Sequence, residues 1–338
     1  MKILILISII PMIMLFAQKS DSAMKDYLDR LKIGKPIEYK NLKIYPLEMT
    51  MITGTKGFVT LDEATDKGWI KIREIGLGNV NQVEIKNYGD EPVFILTGEM
   101  ITGAKQDRMI KEDILLPPNS GWIKIEVYCV EHGRWVEVSK EFKSSGLVVP
   151  NIVRQRAKLS ESQGEVWAEI ARTQDRLGVV SGTGTVRANY EDKKVQQTIE
   201  DYVEGFEKIP KLSDSTIGVV VTTGDKIICL DLFASNDLLH KLWKKLIKSY
   251  AMDAIGNAKS RITKEKIERF IDLISAVRLV SKSNPGLGDL FSLESEHGKG
   301  AALVYKNLIV HMDFFPAINR DQDSDLKLDF RRQQRNTD

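Results

Sequence analysis

The hydrophobic period of the sequence changes once, near Pro150, and that change sets what the chain can fold into. Before it, Leu42 to Met49, Trp69 to Ile75, Gln82 to Asn87, Val93 to Thr97, Ile110 to Leu116 and Trp122 to Val130 are short, rich in β-branched and aromatic residues, and separated by turn residues. Alternation is clearest where Ile123, Ile125 and Val127 face one way and Trp122, Lys124 and Glu126 the other. The stretches Asn87 to Pro92 and Pro117 to Gly121 carry Gly and Pro, which turn a chain and do not extend a ladder. This half predicts antiparallel strands in a sandwich-like layer.

After Pro150 the period moves toward that of a helix. Val166, Ile170 and Leu177 share one face of a helix that Ser160 and Gln163 would open as a capping box. Val195, Ile199, Tyr202, Val203 and Phe206 mark a second helix, Asn236 to Ile255 a third capped by Ser235, and Thr263 opens a fourth. Two short strand pairs, Ile217 to Thr222 with Lys226 to Phe233 and Ala301 to Tyr305 with Leu308 to Phe314, complete an α+β pattern. The expected organisation is a lead-in at 18–40, one domain at 41–318 (β-rich 41–150, mixed 151–318), and a polar tail at 319–338.

Residues 1–17 read differently. One lysine, Lys2, precedes an apolar run from Ile3 to Ala17, the pattern of a secretory signal peptide. As a helix the run would rise about 22 Å, short of the roughly 30 Å hydrocarbon core, so cleavage after Ala17, or after Ala23, is the expectation, with a retained anchor or a start at Met24 as alternatives. The mature protein is then periplasmic or secreted. No later segment is apolar enough to span a bilayer. With 49 basic against 47 acidic residues and a net charge of +2, nothing in the charge balance calls for nucleic acid as a partner. Export leaves two readings of Cys129 and Cys229: a disulfide, or two buried thiols on strands.

Strong catalytic signatures are missing. His132, His240, His297 and His311 do not fall at zinc-ligand spacing, and neither cysteine has a partner two to four residues away, so no histidine-cysteine metal site is expected. Gly298-Lys299 lacks the preceding glycine of a phosphate loop, the glycines from Ser181 to Thr185 do not follow a dinucleotide fingerprint, and no Gly-x-Ser-x-Gly elbow occurs. Two segments are nevertheless denser in polar residues than core strands require. From Gly98 to Arg108, a strand broken at Gly98 and Gly103 would present Lys105, Gln106 and Arg108 to an anion, with Glu99 or Asp107 as acid or base. From Cys129 to Trp135, Glu131 and His132 would move a proton, Arg134 clamp a charge, and Trp135 stack on a flat ring. The same residues would equally suit strand-end salt bridges and a hairpin corner.

Together these segments, Gly98-Glu99, Gly103-Ala104-Lys105-Gln106 with Arg108, Pro117-Pro118, and Cys129-Val130-Glu131 with Gly133-Arg134-Trp135, resemble a bacterial and archaeal family. It is named for its association with ADP-ribosylglycohydrolase and rhodanese-phosphatase proteins. Val166-Trp167 and Ala251-Met252-Asp253-Ala254 extend the resemblance over most of the chain. Asp107 and His132 stand where asparagine and glutamine are usual. The resemblance implies work near ADP-ribose-like nucleotides or phosphoesters, carried by Glu99, Lys105, Gln106, Arg108, Glu131, Arg134 and Trp135, and it names no cofactor. Two functions follow as expectations: a hydrolase or binding protein for an anionic nucleotide-like ligand, with Glu99 and Glu131 catalytic, or a non-catalytic extracytoplasmic binding module.

Overall fold

The structure, a computed structural model, describes residues 24–50 and 57–318. The expected signal peptide and the polar tail from 319 lie outside the described residues. The fold is α+β. Its backbone is a nine-stranded antiparallel sheet ordered β1-β3-β13-β14-β18-β17-β16-β15, with β2 also on β3. These strands are β1 (Lys32–Ile33), β2 (Ile37–Tyr39), β3 (Leu42–Glu48), β13 (Thr216–Thr223), β14 (Lys226–Phe233), β15 (Arg278–Lys282), β16 (Asp289–Ser295), β17 (Gly298–Tyr305) and β18 (Leu308–Pro316). The two strand pairs expected in the second half therefore sit in one continuous sheet, joined by a third hairpin, β15–β16. The segment expected as a lead-in contributes too: β1 and β2 both pair with β3, and Met24, Tyr27 and Leu28 are buried.

The first half does not form the expected sandwich-like layer. Six of its strands, β5 (Ile70–Glu74), β6 (Gln82–Asn87), β8 (Glu99–Gly103), β9 (Arg108–Ile110), β11 (Ile123–Cys129) and β12 (Glu141–Val148), close into an antiparallel barrel ordered β11-β6-β5-β12-β8-β9. Closure comes from β9, which pairs β8 on one side and β11 on the other. It is aided by β12, which pairs β5 through Glu141 and Phe142 and β8 from Phe142 to Val148, its register against β8 shifting between Ser144 and Val148. Alternation then has a plain meaning: Ile72, Val83, Ile85, Ile101, Ile110, Ile125, Val127 and Phe142 pack together, each buried side chain worth about 1.5–3 kcal/mol. A small sheet of β4 (Val59–Thr60), β7 (Val93–Ile95) and β10 (Ile114–Leu116) adjoins the barrel, with the short helix α1 (Leu61–Asp66) capped by Thr60.

Helices fill the space between barrel and sheet. They are α2 (Asn151–Ser160), α3 (Gln163–Leu177), α4 (Arg187–Glu191), α5 (Lys193–Phe206) and α6 (Asn236–Ala254), while α7 (Lys264–Ser275) packs Ile267, Phe270, Ile271 and Ile274 into the sheet's other core. Ser162, not Ser160, caps α3, because Ser160 ends a preceding helix whose buried face includes Arg154 and Gln155. No helix among the described residues is long and apolar enough to cross a membrane.

Candidate functional site

The two polar segments do meet, at one rim of the barrel. The turn after β8 brings Asp107 beside the loop that follows β11, and the isolated bridge between Glu131 and Thr185 fastens the segment before α4 to the same place. Gly103 permits this turn: it has φ of +124°, and a Cβ there would lie 2.6 Å from Ser139 Oγ. Glu131 accepts from Arg134 Nε at 2.8 Å, from the Asp107 amide at 3.1 Å and from the Thr183 hydroxyl at 2.9 Å. Asp107 accepts from the Gly103 amide at 3.2 Å, Arg134 Nη2 at 3.1 Å and the Thr185 hydroxyl at 3.3 Å. Both carboxylates are buried, and they differ. Burial, then the neighbouring charge of Glu131, pushes the Asp107 carboxyl up, against Arg187 and Arg134; Glu131 is held below its usual range because Arg134, the Asp107 amide and Thr183 outweigh its own burial.

Arg134, expected as a clamp for ligand, spends its donors inside the protein. Besides the two carboxylates it donates to the carbonyls of Ala104 and Val136, at 2.9 and 3.1 Å. Gln106 is equally committed, donating to the Glu131 carbonyl at 2.9 Å and accepting from Arg108 Nη1 at 3.0 Å. Arg108 is fully buried; its Nη2 lies 3.7 Å from Glu74. Lys105 turns away: its ammonium meets the Leu77 carbonyl and sits 5.0 Å from the centre of the half-exposed Trp135 ring. Glu99 stands apart at the far end of β8, roughly 13 Å from Gly103 for a five-residue strand. There it accepts from the Leu96 amide and pairs with Lys245, which also pairs Asp62. The disulfide is not formed. Cys129 and Cys229 are separate buried thiols, Cys129 against Gln106 Oε1 at 3.3 Å and Cys229 3.6 Å from Asp231 Oδ2.

Above the rim, β8, β12, α4, α5 and α6 enclose an open polar cleft of about 370 Å³. Thr102, Ser145, Arg187, Tyr190, Gln196 and Lys248 are among its lining residues. Arg187 links the cleft to the rim: its Nη1 lies 3.7 Å from Asp107 Oδ2, and its Nε 2.8 Å from Glu191 on the next turn of α4. Lys248 pairs across to Glu200 of α5 at 2.8 Å. Sequence spacing did not single out Arg187, Tyr190 or Lys248; only the position of Arg187 just past the glycine-threonine loop could have flagged it.

A second polar cluster lies deep between barrel and sheet. Arg154 of α2 forks onto Asp231 of β14 at 2.7 and 3.0 Å, and a side chain at Gly98, whose Cβ would come 2.8 Å from Arg154 Cγ, would block that approach. His311 of β18 bridges Asp113 (2.6 Å) and Asp231 (3.2 Å). Since a carboxylate only accepts, both ring nitrogens donate, and His311 is an imidazolium. Its pKa is pushed up to about 9: burial opposes the charge, and the two aspartates override it. Nearby, Lys158 and Lys282 both pair with Glu112, holding it at about 2 against burial.

Fold and site thus define an α+β protein whose closed barrel carries a buried carboxylate pair beneath an open, cation-lined cleft. Residues 30–315 match the model of the ARG and Rhodanese-Phosphatase-superfamily-associated Protein domain, and the chain belongs to that family. No curated protein and no solved structure matches it.

Proposed function

We propose that the protein binds an anionic small molecule of the nucleotide or sugar-phosphate class, ADP-ribose-like in chemistry, in the cleft above the barrel rim. The observation that carries this reading is the pair of cations in a ligand-sized cleft. Arg187 and Lys248 are partnered there by the exposed Glu191 and the half-buried Glu200. Pairs open to solvent are worth about 0–1 kcal/mol, so a multiply charged anion displaces Glu191 from Arg187 at little cost. Arg134 and Gln106, by contrast, have no donors to spare and support the rim that positions Arg187. The test is a thermal-shift series with ADP-ribose, NAD and inorganic phosphate on the full chain. A rise in Tm that is lost in the Arg187→Gln, Lys248→Gln double variant is expected, and no shift with any of the three overturns the reading.

Hydrolysis of that ligand is a second reading, favoured by Asp107, a buried carboxyl with a raised pKa one ion contact from Arg187. Chromatography of ADP-ribose incubated with the protein should reveal a product, and unchanged ligand under saturating binding leaves a binding protein without catalysis. We also infer export, on the apolar run from Ile3 to Ala17. Protein from its native host should begin after Ala17 or Ala23 and be recovered outside the cytoplasm, and a chain starting at Met1, or one starting at Met24 and recovered from the cytoplasm, overturns that inference.

A further inference from the structure

We propose that anion binding in the cleft is coupled to uptake of one proton by Asp107, with Arg187 as the cation that the two sites share. The inference rests on the cleft being the anion site argued above, and it adds how that site is regulated.

The geometry is that of a cation between two claimants. Arg187 opens α4 with its side chain part-exposed in the cleft, while Asp107 beneath it is almost wholly buried. Their separation of 3.7 Å is an ion contact without a hydrogen bond, so the guanidinium can turn toward the cleft without breaking one. The remaining neighbours of Asp107 cannot follow. Arg134 is anchored by Glu131 and by the Ala104 and Val136 carbonyls, the Gly103 amide belongs to the strand end, and Thr185 is tied to the rim by the Glu131 bridge. Glu131 faces Asp107 through the Asp107 amide and stays ionised.

When an anion takes Arg187, Asp107 therefore keeps one cation, Arg134, and retains one carboxylate neighbour, Glu131. It also gains a second negative charge in the cleft. Burial and Glu131 already favour its neutral form. The proton comes from solvent, and no covalent step is involved. Thr185 accommodates both states, since its hydroxyl donates to a carboxylate and accepts from a carboxylic acid. Linkage fixes the sign: binding tightens as pH falls through the interval between the free and the bound titration of Asp107. The limit for one proton is tenfold in Kd per pH unit.

The experiment is calorimetric titration of the full chain with ADP-ribose, and separately with sulfate, at several pH values in two buffers of different ionisation heat. Both probes keep a constant charge near neutral pH, so any proton taken up belongs to the protein. The expected result is a buffer-dependent heat reporting up to one proton per ligand, abolished in Asp107→Asn. Identical heats in both buffers at every pH, with binding intact, overturn the coupling and leave the cleft reading standing. If neither anion binds, it is the cleft reading that falls, and the coupling is then judged in ligand-free protein. There the carboxyl carbon titration of Asp107 by NMR should move upward in Arg187→Gln, and an unmoved titration overturns it.

Discussion

The interior network around Asp231 and the rim around Asp107 both set a buried aspartate against arginine, yet they relate to water in opposite ways. Arg154 and His311 are sealed between barrel and sheet, where each charge depends on a partner it cannot exchange for solvent. At the rim the chain is sealed on one side only: Arg134 is committed inward, while Arg187 is shared between a buried aspartate and an open cleft. A cation works as a clamp when every donor has a fixed partner. It works as a receptor when its partners are weak and wet. The comparison teaches that cation density in the sequence does not locate a binding site; what matters is which cations can be released.

The sharpest way to break this contrast is inside. Asp231→Ala takes both hydrogen-bonded contacts from the buried Arg154, leaving it only Asp313 at 3.8 Å, and should cost about 3–5 kcal/mol in urea unfolding, whereas a loss under 1 kcal/mol would show the network to be wet. The pH dependence comes next. The folded pKa of His311 is raised from 6.5 to about 9, so its stabilisation is complete below about pH 6.5 and disappears as pH rises through about 9. Urea midpoints measured from pH 6 to 10 should fall across that interval by an amount corresponding to up to about 3 kcal/mol, and His311→Gln should flatten the curve. At the rim, Arg134→Ala strands two buried carboxylates and should cost about 2–3 kcal/mol, with Arg134→Lys a poor rescue because an ammonium cannot span both carboxylates and the carbonyls. Smallest of all, Lys248→Ala should change stability by no more than about 0.5 kcal/mol while weakening any anion the cleft binds. If Lys248 mattered as much to folding as Asp231, the distinction between clamp and receptor would collapse.

Legibility in the sequence followed the same boundary between local and distant interactions. Gln82 to Asn87 and Ile123 to Val127 alternate cleanly because one face of each fills the barrel, and the Asn236 to Ala254 helix carried both a serine cap and an apolar stripe. The α2 helix escaped notice because its buried face is partly charged: Arg154 is stabilised by Asp231, 77 residues away, rather than by apolar neighbours. Strand β12 escaped for a different reason, its serines and Gly146 marking a bend instead of a period. Barrel closure is likewise invisible in one dimension, since it depends on three-residue β9 pairing in two directions.

For the site, the two polar segments read from the sequence lie against each other, with Gln106, Asp107, Glu131 and Arg134 in hydrogen-bond contact, and side-chain direction decides which groups each one meets. Glu99 lies elsewhere because it opens β8, a strand's length from the turn, and Lys105, beyond Gly103, reaches away to the Leu77 carbonyl. Arg187 sits on a five-residue helix too short for the hydrophobic period to mark, Lys248 adds nothing to the apolar stripe of the Asn236–Ala254 helix, and His311 meets Asp113 across 198 residues.

The order of strands in the large sheet also sets a timetable. Strand β3 pairs with β13, Leu42 opposite Thr223 and Glu48 opposite Thr216, so its main partner is made only after the whole barrel and five helices have been synthesised. On a chain that emerges from its N-terminus, the barrel has its complement of strands by Val148, while the exposed edge of β3 must wait. The first strands to appear are among the last to be locked, and any factor that escorts the nascent chain would find its target there.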